Sequence, residues 1–347
     1  MILKKSIMKI QHAIYILLSS IILFSGCREI TVTTKVNRDG SFTRTIKVTG
    51  DSADVFRTNL PYPIDATWVK TVLKDTTDVD DYTIFYTKSF KKSELLNIEL
   101  SQDTSWKKHL QRKVTIDKRC VLFYSYTTFS ETYKAIRPFT RLNYPNYLTP
   151  EEKLYLSGNK IPITASDSIK DKEITDKFIG FFVDAIAIEI ISTLEDGIKK
   201  LNDPQHKPEH VQIYKDSIVN KVYDYFENFD VYIDFYREWT GNESVNKLKT
   251  LEPPLFEALD KKISIVLNLT FMDGYSQTVE MPGIITETNS ISVTGNQVSW
   301  EVNSNHFLFE DYEMRVESRV VNRWAFVVSG LFLFLVIILL FLKVRRK

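Results

Sequence analysis

Two histidines and a glutamate stand at a spacing that can bind zinc. His206, Glu209 and His210 match the H-x-x-E-H pattern of inverted zinc peptidases, in which both imidazoles hold the metal from one helical face. Pro208 lies between them, and proline is tolerated only in the first turn of a helix, so His206 is expected to lie outside that helix. We therefore predict an exposed linker between helices and keep a zinc-dependent hydrolase as a distant alternative.

The other reactive side chains are predicted to be structural. Asp184 and Glu189 lie in a helical segment about 140° apart around its axis, so they do not converge as an acid–base pair would. We expect both acids to be buried and paired with neighbouring bases. Cys120 lies in the strand-like run Arg119–Tyr124 and is predicted to be a buried small hydrophobic residue. No catalytic residue, metal ligand or cofactor is predicted.

An acidic run over residues 75–81 could be considered for calcium binding. It lacks the glycine and the final glutamate of an EF-hand loop, so we predict a solvated hairpin loop. A neighbouring pair of strands, Lys113–Ile116 and Arg119–Phe129, is predicted to turn at Asp117 and Lys118.

The first 27 residues predict export and lipid attachment. A positively charged start is followed by an apolar run over residues 10–24, and Ser25 and Gly26 stand just before Cys27. This is the three-part pattern of a secretory signal, and the cysteine makes it resemble a bacterial lipoprotein signal. The resemblance implies that residues 1–26 are removed and that Cys27 carries fatty chains such as palmitate. An uncleaved anchor is the alternative, but about 15 apolar residues fall short of the roughly 20 that span a bilayer.

The other end of the chain predicts a transmembrane helix. Trp324–Leu342 contains no charged residue and extends about 28 Å as a helix, close to the thickness of the hydrocarbon core. A buried helix of a soluble protein is the alternative. Arg323 and Trp324 are predicted to lie at one membrane interface. The residues predicted at the other interface are Lys343, Arg345, Arg346 and Lys347. Because basic tails stay in the cytoplasm, the preceding part is expected outside.

Composition limits the partners of the exported part. The chain has 45 Lys and Arg against 44 Asp and Glu, but eight of the bases lie before Cys27 or from Arg323 onward. The part between is therefore acidic, with a net charge of about −7, which argues against nucleic acid as a partner. About 295 residues fold into a body roughly 50 Å across, too small to bridge two membranes. We expect both anchors in the bacterial cytoplasmic (inner) membrane.

Hydrophobic periodicity predicts an α+β fold. We expect β-rich parts over residues 27–140 and 262–322, a helical insertion over 141–261, a transmembrane helix over 323–342 and a basic tail over 343–347. The two β-rich parts are predicted to share an antiparallel sheet. Ile30–Val36 and Ser41–Val48 alternate and are predicted to pair as a hairpin around Asn37–Gly40. A long helix is predicted to begin at Asp167 or Ser168 and to run to Leu201. Ile263–Phe271 alternates and is predicted to be a strand. The aromatic residues of the insertion indicate a bundle core, with a pocket for a lipid or another apolar ligand as the alternative.

Several short motifs resemble the LppM-type bacterial lipoproteins. The turn Asn37-Arg38-Asp39-Gly40 follows the lipoprotein signal, and further turns and a strand tryptophan precede the final helix. These are Met281-Pro282-Gly283, Thr288-Asn289, Gly295-Asn296 and Val298-Ser299-Trp300. The resemblance covers roughly residues 20–50 and 264–342. It implies an exported, membrane-tethered α+β domain without catalytic residues.

The sequence therefore favours a non-enzymatic lipoprotein tethered to the membrane at both ends. Its expected role is that of an envelope scaffold or a binder of an envelope protein. Its expected partners are the membrane and one protein or lipid of the envelope. A module for lipids or other apolar ligands remains the alternative.

Overall fold

A computed structural model describes residues 28–56, 60, 62–74, 81–102, 106–156, 167–202, 207–225, 228–270 and 272–345. These residues form two units. Residues 135–272 and 303–310 form the helical unit, and residues 28–134, 273–302 and 311–345 form the β unit. The chain leaves the β unit, builds the helical unit and returns. The predicted α+β class, with a helical insertion between two β-rich parts, is confirmed.

The β unit contains a large and a small sheet. The described strands are β1 (Glu29–Val36), β2 (Phe42–Asp51), β3 (Val69–Lys74), β4 (Asp81–Phe90), β5 (Arg112–Val121), β6 (Tyr124–Tyr133), β7 (Tyr275–Glu280), β8 (Ile284–Thr288), β9 (Ser292–Thr294), β10 (Gln297–Val302) and β11 (Tyr312–Val321). The large sheet has the order β3-β4-β2-β1-β7-β10-β9, and the small sheet has the order β5-β6-β11-β8.

Strands from distant parts of the sequence pair in both sheets. In the large sheet β1 pairs with β7 in parallel, and the other neighbours are antiparallel. In the small sheet β11 lies between β6 and β8. The first and last parts of the chain therefore share mostly antiparallel sheets, as predicted, but there are two such sheets where one was predicted. The predicted hairpin around Gly40 is also confirmed, because β1 and β2 pair directly across that turn.

The predicted turn at Asp117 and Lys118 is wrong. The strand β5 continues through both residues to Val121, and the reversal falls at Leu122 and Phe123. β5 is an end strand of the small sheet, and its side chains at 117–121 are exposed. An exposed end strand accommodates charged residues, so this polar pair marks the sheet edge and not a turn.

Helices lie in both units. The described α-helices are α1 (Ser52–Val55), α2 (Ser93–Ser101), α3 (Pro150–Leu156), α4 (Asp167–Leu201), α5 (Lys215–Tyr225), α6 (Val231–Thr240), α7 (Glu257–Thr270) and α8 (Arg323–Arg345). In the helical unit, the middle of α4 is buried at Phe181, Ala187 and Ile190. Aromatic rings pack edge-on or stacked around it and between α5 and α6. The contacts are those of a bundle core.

The predicted strand Ile263–Phe271 is wrong. Residues up to Thr270 belong to α7, and Phe271 lies outside the described residues. The residues alternate in polarity, but Ile263, Val266 and Leu269 are buried at a spacing of three, which places them on one helical face. The acids of the first turn, Glu257 and Asp260, favour the start of a helix. Because this face is buried, the segment forms a helix although its polarity alternates as in a strand.

A short segment returns through the helical unit before β11. Ser304–His306 form a 3-10 turn in which the Asn303 backbone N–H donates to Nδ1 of His306 at 3.2 Å. The imidazole is buried, and burial lowers the pKa of His306 from 6.5 to about 4. The neutral ring is therefore the form that fits the folded state.

We expect His306 to make the fold sensitive to acid. The unfolded chain takes up a proton near pH 6.5, whereas the folded chain takes it up only near pH 4, so stability falls as the pH falls through this range. Between pH 7 and pH 4 this residue should cost about 3 kcal/mol of unfolding free energy. His306→Gln keeps a hydrogen-bond acceptor but does not titrate. The unfolding free energy of this variant should therefore fall by about 3 kcal/mol less than that of the unchanged protein between pH 7 and pH 4. Equal pH dependence of both proteins in urea unfolding contradicts the prediction.

Candidate functional site

A single residue joins the small sheet to an apolar helix. The strand β11 ends at Val321, α8 begins at Arg323, and only Asn322 lies between them. Within Arg323–Lys343 the helix contains an 18-residue stretch with a mean hydropathy of 3.1, and 6% of that stretch is buried. By length and composition alone, α8 can cross a membrane.

Asn322 has a partner for each of its polar groups. Its backbone N–H donates to the Phe123 carbonyl at 2.8 Å, and its Nδ2 donates to the Leu122 carbonyl at 3.0 Å. Its Oδ1 accepts from Ser125 Oγ at 2.7 Å, and its carbonyl accepts from the Ala325 N–H at 3.0 Å. The asparagine therefore ties the β5–β6 turn to the first turn of α8.

Aromatic and basic residues surround this joint. The rings of Phe123 and Phe326 lie 4.7 Å apart between centroids, which fixes the turn against the helix. A groove of about 290 Å³ opens beside the joint. Its lining includes Arg38, Arg323 and Trp324. Two guanidinium groups and an indole thus lie together where the apolar helix starts.

The predicted interface residues fall at opposite ends of α8. Arg323 and Trp324 are both exposed at its first turn and line the same groove. Lys343 and Arg345 lie in its last turn, about 30 Å away along the axis. Arg346, Lys347 and the predicted lipidation site Cys27 lie outside the described residues. Asn322, Phe123 and Phe326 were not singled out from the sequence, because their pairing depends on the fold.

A second polar cluster lies buried between the two sheets of the β unit. Arg44 on β2 and Glu131 on β6 are both fully buried, with Nη2 and Oε2 2.7 Å apart. The Tyr62 hydroxyl also donates to Glu131, at 2.9 Å, and Thr34 accepts from Arg44 Nε at 3.0 Å. The carboxylate is thus held by a guanidinium and a phenol. This ion pair bonds the large sheet to the small sheet.

Burial and charge keep these groups in fixed protonation states. Burial acts to lower the pKa of Arg44, but the charge of Glu131, the nearby Tyr62 and the hydrogen bond to Glu131 together outweigh burial, so the pKa is raised. Burial raises the pKa of Tyr62 well above its ordinary value, so the phenol stays protonated and donates. Neither group changes its charge near neutral pH.

A second arginine extends the cluster. The guanidinium of Arg112 lies 4.2 Å from the ring centroid of Tyr62, and its Nη1 donates to the Tyr133 hydroxyl at 2.9 Å. Tyr133 in turn contacts the hydroxyl of Tyr275 from the large sheet. Burial raises the pKa of both tyrosines. Gln277 Nε2 donates to Thr34 Oγ1 at 3.2 Å. We name the set Thr34, Arg44, Tyr62, Arg112, Glu131, Tyr133, Tyr275 and Gln277 the intersheet network. Its buried, hydrogen-bonded groups suit structural support better than catalysis.

The residues considered for chemistry from the sequence are not brought together. His210 is exposed in the 3-10 helix Pro208–Tyr214, and His206 lies outside the described residues. Among the described residues, no group of three His, Cys, Asp or Glu side chains is placed to hold a metal ion. Of the acidic run over residues 75–81, only Asp81 is described, at the start of β4.

Two further expectations are corrected or refined. Cys120 is exposed, not buried, because it lies near the free end of the β5–β6 hairpin, beyond the covered part of the strand. Glu189 is buried and pairs with Lys262 at 2.9 Å and Arg141 at 3.7 Å, as expected. Asp184 is half-buried and accepts from the Tyr147 hydroxyl at 2.8 Å, so its partner is not a base.

No protein-family model and no curated protein matches this chain. One solved structure that is similar is the NMR structure of the folded domain of LppM from Mycobacterium tuberculosis. It covers 86% of this chain and 92% of that domain, with 8% identity and a TM-score of 0.28. A TM-score this low carries no argument about function, so the LppM-type resemblance stays a prediction.

Removing the charge of Glu131 should strongly destabilise the β unit. Glu131→Gln keeps the volume but leaves the fully buried Arg44 without its counter-charge, which typically costs about 3–5 kcal/mol. The free energy of unfolding of the full chain in detergent micelles, measured by pulse proteolysis in urea, should fall by this amount.

The matched control for this variant is Glu287→Gln, which removes an exposed ion pair with Arg315 between β8 and β11 of the same unit. It should change the stability by no more than about 0.5 kcal/mol. Equal effects of the two substitutions would show that the intersheet ion pair does not hold the sheets together.

Proposed function

We propose that this protein is a non-enzymatic lipoprotein of the bacterial envelope, held on the outer face of the cytoplasmic membrane. In this proposal the acylated Cys27 and the helix α8 are its two anchors, and the folded units serve as a scaffold for an envelope partner. The observation that carries the proposal is the direct passage of β11 through Asn322 into α8. A sheet joined to a membrane helix by one bonded residue is held close to the bilayer.

The charges at the two ends of α8 support the orientation. Arg323 and Trp324 mark the end next to the β unit, and the basic residues from Lys343 onward mark the other end. Basic tails are retained in the cytoplasm and tryptophan favours the interface. The β unit then lies outside, on the side to which the N-terminal signal would export it.

An end strand of the large sheet supports the scaffold role. In the described part of the chain, β3 pairs on one side only, with β4. Three of its apolar side chains are exposed: Val69, Val72 and Leu73. A strand with a free edge and apolar side chains can accept an extended segment of another protein by adding a strand. A protein partner at β3 is therefore our candidate interaction.

A lipid pocket in the helical unit is less well supported. The rings that could line such a pocket pack on one another, and Phe181, Tyr232 and Tyr236 are fully buried in that packing. An open groove of about 500 Å³ beside Phe139 and Phe309 also contains Arg137, Arg141 and Glu310. We therefore favour the scaffold over the apolar-ligand module.

The two anchors should be redundant for membrane attachment. Cys27→Ala should lose the acyl mass but stay in the membrane after an alkaline carbonate wash, because α8 spans the bilayer. A chain ending at Asn322 should stay attached through its lipid, and the combination of both changes should release the protein. Immunoblots of membrane and soluble fractions measure each result. Release by Cys27→Ala alone would contradict the role of α8.

A photoreactive amino acid at Val69 should capture the partner in living cells. Val69 is 67% exposed on the free edge of β3, so an added strand would lie within reach of the probe. We expect one discrete adduct, identified by mass spectrometry. The control is the same probe at Ile213, which is 75% exposed in the helical unit and should give no such adduct. No adduct from Val69, Val72 or Leu73 would overturn the scaffold role assigned to β3.

A further inference from the structure

The turn of the β5–β6 hairpin exposes apolar side chains beside the start of α8. Val121 is 50% exposed and Leu122 is 62% exposed, and Phe123 packs on Phe326 of the helix. We define Val121, Leu122 and Phe123 as the hairpin tip. We propose that the hairpin tip is inserted into the headgroup layer of the bilayer that α8 crosses, so that the small sheet stands on the membrane. This inference rests on the proposed function only in taking α8 to span a bilayer.

Strand direction places the tip at the membrane. β5 and β11 both pair antiparallel with β6, so they run in the same direction. Val121 of β5 and Val321 of β11 both pair with Tyr124, which puts the end of β5 level with the end of β11. Because α8 starts after one further residue, the hairpin tip lies level with the first turn of the helix.

Side chains near the tip change in character with distance from it. The row nearest α8 is apolar and aromatic: Val121, Tyr124 and Val321. Two residues along the strands, about 7 Å away, the next row is basic and aromatic: Arg119, Tyr126 and Arg319. About 7 Å further the row is acidic and polar: Asp117, Thr128 and Glu317. Apolar, cationic and anionic rows thus follow one another away from the helix.

This order matches the layers of a bilayer surface. Apolar side chains favour the acyl boundary, arginine and tyrosine favour the phosphates and the interface, and carboxylates favour water. Arg119 lies 4.9 Å from the ring centroid of Tyr126 and Arg319 lies 5.2 Å from that of Tyr124, so both guanidinium groups have an aromatic support. Arg119 is 3.8 Å from Glu317 and still two-thirds exposed, which leaves it accessible to a phosphate. The groove beside the joint, lined by Arg38 and Arg323, places two further cations at the start of α8.

The backbone of the tip gives independent support. Leu122 has φ of +40°, in the left-handed region that glycine and asparagine occupy readily in such turns. A leucine there strains the backbone and exposes most of its side chain to solvent. A two-residue turn that needed only to fold would place a small polar residue or glycine at this position. Insertion into lipid accounts for an apolar residue at a strained, exposed site.

A fluorescent depth probe tests this directly. Single cysteines are introduced into the full chain carrying Cys120→Ser, as Leu122→Cys at the tip, Leu333→Cys within α8 and Ile291→Cys as control. Ile291 is 80% exposed in the same unit, beyond the end of β8 that lies away from α8. Each protein is labelled with a polarity-sensitive dye, the labelled site is confirmed by peptide mass spectrometry, and the protein is reconstituted in vesicles of phosphatidylethanolamine and phosphatidylglycerol.

The three probes separate this inference from the proposed function. We expect the emission of the dye at 122 to lie at shorter wavelength than that of the dye at 291. Iodide in the water should quench the dye at 122 only weakly. Lipids spin-labelled near the headgroup should quench it more than lipids spin-labelled near the chain end. The dye at 333 should be quenched most by the deep label, and the dye at 291 only by iodide. If 333 is in lipid but 122 behaves like 291, the inference is overturned while the anchor stands. If 333 is also exposed to iodide, the proposed function fails.

A protein instead of a lipid surface could cover the tip, and the same samples distinguish the two. Shielding of the dye at 122 in native membranes but not in protein-free vesicles would overturn the inference and assign the tip to a protein contact. Leu122→Gly supplies a second readout, because it relieves the backbone strain. It should retain or raise the melting temperature while it reduces the shielding of a dye placed at Val121→Cys. Unchanged shielding in Leu122→Gly contradicts insertion of the leucine.

Discussion

The hydrogen bonds of Asn322 are the constraint on which the rest of this structure depends. An asparagine between a strand and an apolar helix could be a flexible hinge, but here its backbone and side chain bond the β5–β6 turn on one side and the first turn of α8 on the other. The helix cannot then swing freely relative to the small sheet. In our proposal α8 spans a bilayer, so its direction determines which end of the small sheet faces the membrane and where Leu122, Arg119 and Arg319 lie relative to it.

The buried ion pair between Arg44 and Glu131 fixes the position of the large sheet relative to the small sheet. A buried pair is not a strong source of stability, because removing two charges from water costs several kcal/mol that their attraction only partly returns. Its geometry is nevertheless specific, since a guanidinium on one sheet must meet a carboxylate on the other. The pair therefore selects one relative placement of two sheets whose strands come from distant parts of the sequence. The edge of β3 is held in a defined position by that placement.

Local patterns predicted the elements that depend on neighbouring residues. The β1–β2 hairpin around Gly40 and the helix α4, predicted from Asp167 or Ser168 to Leu201, follow from turn chemistry and periodicity. Patterns failed where tertiary contacts decide. Ile263–Phe271 alternates like a strand, but burial at a spacing of three holds it in α7 up to Thr270. The apolar run around Cys120 is typical of a buried strand, but this run ends in the exposed hairpin tip, and Cys120 is exposed.

The candidate site was predictable only in part. Arg323 and Trp324 could be placed from the charge and aromatic pattern beside an apolar helix. Asn322 could not, because its partners lie about 200 residues earlier in the chain. A signal for the intersheet ion pair was present, since Arg44 takes an inward position between Phe42 and Ile46 on β2. A charge at such a position requires a buried counter-charge, but the sequence does not say that Glu131 supplies it.

We propose that α8 crosses one bilayer, with the two sheets outside and the basic tail inside. The most direct test is labelling with a membrane-impermeant maleimide in spheroplasts, using the full chain with Cys120→Ser and one new cysteine at Ile291 or at Lys347. We expect the cysteine at 291 to be labelled in intact spheroplasts and the one at 347 only after the membrane is permeabilised. Labelling of 347 in intact spheroplasts would contradict this orientation of α8.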